Sequence, residues 1–214
     1  MKVMDLSHTI KNDMQIYPGD PAPTIERSLE HDKDYCHVDR LNLGSHTGTH
    51  IDAPYHFLKD GKRISDFEAG YFIGRGLVMD FRGMGENESI SLEAVKKYDE
   101  EIEKGMFVFL MTGWNKYFGE EKYLRHPFLS EEAAKYFVEK GVKIVGLDAL
   151  NIDSTQDEVF ASHNVLLPAD VLIVENLSKL DTIPENKEAI YSLLPLKVEG
   201  TDGSPIRAVC IIID

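Results

Sequence analysis

Residues 45–57 read Ser45-His46-Thr47-Gly48-Thr49-His50-Ile51-Asp52-Ala53-Pro54-Tyr55-His56-Phe57. Three of the chain's eight histidines fall here, with an aspartate among them. His46, His50, Asp52 and His56 all stand at even positions, so a flat strand would set them on one face. Such a strand would still hold His46 and His50 ~13 Å apart, at ~3.3 Å per residue, whereas one ion needs every ligand atom within ~2.0–2.2 Å of itself. A helix would align His46 with His50 but turn Asp52 away, and Gly48, the β-branched Thr49 and Pro54 all oppose a helix. A metal centre therefore requires a strand that bends near Gly48. A polar surface loop and a metal-free catalytic dyad are the other readings of the same residues.

Working outward, Val38 to Leu43 alternates apolar and polar residues, the pattern of a strand with one wet face. Tyr17-Pro18-Gly19-Asp20-Pro21 is a turn-rich loop. Val3 to Leu6, Gly76 to Phe81, Lys143 to Leu147 and Val171 to Val174 read as strands, and Phe107 to Met111 as a buried one. Ser91 is placed to cap a helix running to about Glu103 and ended by Gly105. Ser130 is placed to cap another, carrying Ala133, Ala134, Phe137 and Val138 and stopped at Gly141. Asp202-Gly203 suggests a turn between Leu196–Val198 and a last strand, Ile206 to Ile213. Strands outnumber helices, which predicts a mixed α/β fold, residues 1–214 forming a single domain around a large, partly antiparallel sheet or barrel.

The 214 residues carry a net charge of −14, with Asp+Glu 37 against Lys+Arg 23. That balance argues against nucleic acid and against anionic membranes as partners. Cys36 and Cys210 are the only cysteines, so no disulfide framework is indicated. Met1-Lys2-Val3-Met4-Asp5 lacks the apolar stretch of a signal peptide, and a cytoplasmic setting is expected.

The spacing His46-x-Gly48-Thr49-His50-x-Asp52-x-Pro54-x-His56 resembles the HxGTHxDxPxH signature of the cyclase family, which includes bacterial kynurenine formamidases and isatin hydrolases. Seven fixed positions make a chance match improbable. Further segments are similar to that family over nearly the whole chain: Asp5-Leu6-Ser7-His8, Tyr17-Pro18-Gly19-Asp20, Thr112-Gly113-Trp114, Gly146-Leu147-Asp148, His163 to Leu167, Glu175-Asn176-Leu177 and Gly203 to Ala208.

The resemblance implies a β-barrel-like core flanked by helices, of the swivelling β/β/α type, assembled as a homodimer or homotetramer. It implies that His46, His50, Asp52, His163 and Glu175 bind a divalent metal. Two zinc ions bridged by Asp52 are expected, with manganese as the alternative. It assigns proton donation and acceptance to His56. Tyr17 falls where the formamidases carry a substrate-contacting Trp, and a smaller ring offers a different stacking surface.

The activity implied is metal-dependent hydrolysis of a small-molecule C–N amide bond. The leading substrate is an aryl formamide such as N-formylkynurenine, of tryptophan catabolism. Metal-activated water is nucleophilic at neutral pH, and an imidazole can return a proton to the leaving nitrogen. The rivals are an isatin-type cyclic-amide hydrolase and a non-catalytic, metal-bound binding protein. His8, His31, His37 and His126 read as structural or surface residues, and Arg207 as an ion-pair partner. Taken alone, Trp114 and Phe57 read as core.

Overall fold

The run 107–111 is a strand buried along its whole length. Its alternation separates two apolar layers. Val108 and Leu110 face one with Val145, Leu147 and Phe137, while Phe107, Phe109 and Met111 face the other with Ile144, Leu172, Tyr191 and Cys210. A strand covered on both faces has no wet side on which to place polar residues, hence the unbroken apolar sequence.

The computed structural model describes residues 1–184 and 189–212. Its elements run β1 (Lys2–Asp5), β2 (Thr24–Leu29), α1 (His31–Asp34), β3 (Val38–Asn42), β4 (His50–Asp52), β5 (Ile73–Asp80), β6 (Ser89–Ile90), α2 (Leu92–Lys96), β7 (Phe107–Met111), β8 (Phe128–Leu129), α3 (Glu131–Lys140), β9 (Ile144–Leu147), α4 (Ala161–Leu166), β10 (Leu172–Glu175), β11 (Ala189–Ser192), β12 (Gly203–Pro205) and β13 (Val209–Ile212). Nine strands form one sheet in the order β1-β13-β11-β5-β7-β9-β10-β4-β12. Its centre, β5-β7-β9-β10, is parallel, and its flanks are antiparallel. Just past β1, Ser7 bridges Leu177, just past β10. That contact curls the sheet toward a barrel, as the mixed, partly antiparallel reading anticipated.

Helix α3 matches its sequence signals closely. The Ser130 hydroxyl accepts from Ala133 N, and Gly141 ends the helix at φ 70°. Ala133, Ala134 and Phe137 form its buried stripe. Asp148, buried after β9, accepts from Thr112 N, Thr112 Oγ1 and Gly113 N at 2.6–2.8 Å. It thereby ties together the ends of β7 and β9.

Three expectations are corrected. Ser91 does cap a helix, but α2 stops at Lys96 and 3₁₀-type bonds follow, Tyr98 N to Val95 O and Glu101 N to Tyr98 O. The acidic run Asp99-Glu100-Glu101 is unfavourable at the negative end of a helix, and Asp99 instead pairs with Lys140 and Tyr136 on α3. Val38–Asn42 is a strand, but among the described residues it pairs only with β2, and all five of its residues are exposed. Asp202-Gly203 is not a hairpin turn: Gly203 opens β12 and lies opposite Asp52 of β4. The last strand is β13, and its expected end at Ile213 lies outside the described residues.

Gly146 has no room for a side chain. A Cβ there would lie 2.9 Å from both Leu177 Cδ1 and Phe109 Cδ1. Gly146→Ala should therefore destabilise the fold by about 1–3 kcal/mol through overpacking, read as a lower midpoint in urea unfolding with an unchanged slope.

Candidate active site and metal centre

The 45–57 segment bends at both ends. Gly48 takes φ +65°, only His50 to Asp52 are strand, and Pro54 to His56 form a 3₁₀ turn. The bend brings the His46 and His50 rings to 5.0 Å between centroids. Within β4, His50 and Asp52 share one face while Ile51 points into the apolar layer. β4 lies between β10 and β12. Glu175 stands opposite His50 on one side, and Gly203 opposite Asp52 on the other. Gly203 is needed bare, because a Cβ would meet His46 Cε1 at 2.9 Å.

His163 arrives from α4. The carboxylate of Asp153 receives Ser162 N, His163 N and His163 Nδ1, so one side chain both starts the helix and aims the ring. Glu175 comes from the end of β10, where its Oε1 accepts from Ile152 N at 2.8 Å. Asn176 follows at φ 57°, a conformation asparagine tolerates better than most residues.

The donor atoms converge. His46 Nδ1 is 2.7 Å from Asp52 Oδ1, and His50 Nε2 is 3.3 Å from it. His163 Nε2 is 3.6 Å from Asp52 Oδ2 and 3.7 Å from Glu175 Oε1. Three three-donor groups result among the described residues, each with its ligand atoms within 4.8 Å of one another: His46-His56-Asp202, and the pair His46-His50-Asp52 and Asp52-His163-Glu175. Asp52 belongs to both. Its Oδ2 is buried and, among the described residues, accepts no hydrogen bond, which marks it as an atom built for another partner. His50 has Nδ1 on Gly48 O at 2.8 Å and His163 has Nδ1 on Asp153, so each presents Nε2 to the centre. Imidazole and carboxylate donors in this arrangement fit divalent zinc-class ions.

The five residues expected to bind metal are thus brought together, and His56 and Tyr17 border the same cavity of about 250 Å³. Phe57 lines that cavity, whereas Trp114 is core. Arg207 pairs with Asp5 at the surface, away from the site. The sequence reading missed Asp202, Asp153 and Asp20. Asp202 Oδ2 lies 2.9 Å from His46 Nε2 and 3.0 Å from His56 Nδ1, linking the two rings. The only sequence signal for it was Asp202-Gly203, which also suits a turn.

The charges are strongly coupled. Burial pulls the His46 imidazole down, but Asp52 and Asp202 outweigh it and hold its pKa up at about 9. Burial likewise opposes the charge on His163, yet Asp153 and Asp52 raise it to about 10. Asp52, despite desolvation, is held well below the carboxylate range by His46 and His50. Hydrogen bonds from His46 and then His56 push Asp202 well down.

The Cyclase family model matches residues 4–154. The kynurenine formamidase of Bacillus thuringiensis (strain Al Hakam) is 31% identical over 208 residues, covering 96% of this chain and 95% of its own. That of Bacillus cytotoxicus is 29% identical over 209 residues, covering 96% and 95%. Among solved structures, an isatin hydrolase bound to the product analogue thioisatinate superposes with a TM-score of 0.88 at 25% identity, covering 99% of this chain and 92% of that one. A predicted metal-dependent hydrolase from Bacillus stearothermophilus gives 0.77 at 30% identity, covering 98% and 97%. The chain belongs to the cyclase family.

His46 and His163 have folded-state pKa values raised from 6.5 to about 9 and about 10. Their contribution to stability is full below about pH 6.5 and is lost as pH rises through those values. Chelator-treated protein should lose thermal stability between pH 7 and pH 10, as scanning calorimetry can follow. Zinc-loaded protein should not, because deprotonated imidazoles are then ligands.

Proposed function

We propose that the cavity hydrolyses the exocyclic amide of an aryl formamide of the N-formylkynurenine kind, with His56 as proton donor and acceptor. Family membership itself makes the chain a metal-dependent hydrolase of a non-peptide C–N amide bond. The observation that carries the finer reading is the pairing of His56 with Asp202. One ring nitrogen is fixed at 3.0 Å on a carboxylate, while the ring borders the cavity with its other nitrogen uncommitted among the described residues.

In this reading His46, His50 and Asp52 would hold one ion, and Asp52, His163 and Glu175 a second. Zinc is the first choice and manganese the alternative. Such ions, when bound, generate a nucleophile from water at neutral pH and polarise a carbonyl oxygen. The residues of the chain do the rest. Asp52 and Glu175 offset part of the ionic charge. His56 takes a proton from water at its free nitrogen and gives it to the leaving amide nitrogen, which departs as a neutral amine. Asp202 keeps the ring turned toward that transfer. Tyr17, Phe57 and Phe160 line the mouth and pack an aryl body while excluding water.

A second reading, opening of a cyclic amide, is favoured by the close structural likeness to an isatin hydrolase. A panel of formanilides and lactams given to the zinc- and manganese-loaded protein separates the two, and turnover of neither would favour a binding protein.

Residues 1–214 are taken as one domain. Cytoplasmic residence is supported by two unpaired cysteines, Cys36 and Cys210, and no helix among the described residues is long and apolar enough to cross a membrane. Assembly as a homodimer or homotetramer is supported by the β2–β3 ribbon. Its Leu29, Val38 and Leu41 are exposed, and two strands alone are marginally stable in water. Light scattering should return a multiple of 24.2 kDa.

His56→Ala should lower kcat toward an aryl formamide by ~10²- to 10⁴-fold, the usual worth of a general acid–base. Metal content by elemental analysis should be unchanged. Retained turnover in this variant would remove His56 from the mechanism.

A further inference from the structure

Three consecutive residues after β9 each reach the centre. Ile152 N donates to Glu175 Oε1 at 2.8 Å, and the Asp153 carboxylate holds the His163 ring. Asn151, just before them, lines the reaction cavity and is only 6% exposed. Its Oδ1 accepts from Asp153 N at 2.7 Å. A backbone N–H can only donate, so the oxygen end of the amide is fixed and Nδ2 is the free end. Among the described residues Nδ2 has no hydrogen-bond partner. The sealed-off side-chain atoms in that condition are His8 Nε2, Thr47 Oγ1, Asp52 Oδ2, His126 Nε2 and Ser178 Oγ. Asn151 Nδ2 is not one of them, so it opens on the cavity. The other buried polar side chains of the lining are committed. His50, His163 and Glu175 belong to the donor groups around Asp52, and the Asn176 amide spans Tyr123 Oη and Leu150 O. Asn151 Nδ2 is thus a buried donor left for the substrate. Being neutral, it asks only for an acceptor, whatever charge the imidazoles around it carry.

We propose that Asn151 is a specificity-determining residue whose Nδ2 donates to a second oxygen of the substrate, a carbonyl carried on the aryl ring beside the scissile amide. This rests on the reading of the cavity as the seat of an aryl formamide. The placement follows from the chain. Asn151 adjoins the groups that hold Glu175 and His163, so it reaches a point beside the reacting amide. A carbonyl on the ring position next to the amide nitrogen meets the donor there. An alkyl group of the same shape leaves Nδ2 desolvated and unpaired. One neutral hydrogen bond of this kind corresponds to about 2- to 10-fold in kcat/KM.

The test uses zinc-loaded protein and two formanilides of one shape, 2-acetylformanilide and 2-ethylformanilide. Their kcat/KM ratio is compared between wild type and variants, so the intrinsic reactivity of each amide cancels. Asn151→Ala should lower the acetyl-to-ethyl ratio by about 2- to 10-fold. Asn151→Asp keeps the oxygen that Asp153 N needs and replaces the donor by an acceptor. It should lower the ratio further, and it serves if the alanine variant folds poorly. An unchanged ratio in both variants overturns the proposal. So does an equal loss on both substrates with a fall in zinc content, which would make Asn151 only a support for Asp153 and His163. Calorimetric binding of 2-aminoacetophenone against 2-ethylaniline gives a readout independent of turnover. If neither formanilide is cleaved, the proposed reaction falls, and the binding preference decides the role of Asn151. A preference for the ketone that is lost in Asn151→Ala sustains it. No preference, or one that both variants keep, refutes it.

Discussion

Asp52 puts a carboxylate in the interior with Oδ1 against His46 and His50 and Oδ2 without a hydrogen-bond donor. An ionised carboxylate in such surroundings is costly unless positive charge meets it. Three imidazoles converge on this one group, and the local architecture exists to bring them there. The register of β4 follows from the same need. A slip of one residue would send His50 and Asp52 into the apolar layer and Ile51 into the site. Pairing on both edges, with β10 and with β12, prevents it.

Around this carboxylate stands a set of acceptors that each settle one ring nitrogen. Gly48 O holds His50, Asp153 holds His163, and Asp202 holds His46 and His56 together. With one nitrogen committed, the other can point in only one direction. The aim of each ring is therefore a property of backbone turns and carboxylates rather than of the histidines themselves. This is also why Gly203 has no side chain: β12 must approach His46 closely enough for Asp202 to reach it.

The part of the site that could be read in the sequence is the part that is local. His46, His50, Asp52 and His56 lie within eleven positions, and the failure of both flat strand and helix already required the bend now seen at Gly48. His163 and Glu175 were legible only through family resemblance, since a lone histidine and a strand-end glutamate have many other uses. Asp153 and Asp202 left no such trace, because their meaning lies in contacts formed across the fold. Helices and strands behaved similarly. Phe107–Met111 and Glu131–Lys140 declare themselves by pattern and caps. The exposed ribbon does not, because alternation says nothing about whether a face will be covered. The Asp202-Gly203 pair was misread because a turn dipeptide and a strand entry against a crowded histidine use the same residues.

Gly203 opens an edge strand of the sheet, and Asp202 stands just before it, 156 positions after His46. During synthesis the histidine cluster emerges long before the carboxylate that orders two of its rings. A chain still on the ribosome at residue 180 holds His46, His50, Asp52, His163, Glu175 and the edge strand β1, but neither the opposite edge strand β12 nor Asp202. His46 and His56 then lack the carboxylate that orders them. Completion of the centre is thus tied to the docking of a three-residue strand that follows all of its other parts along the chain.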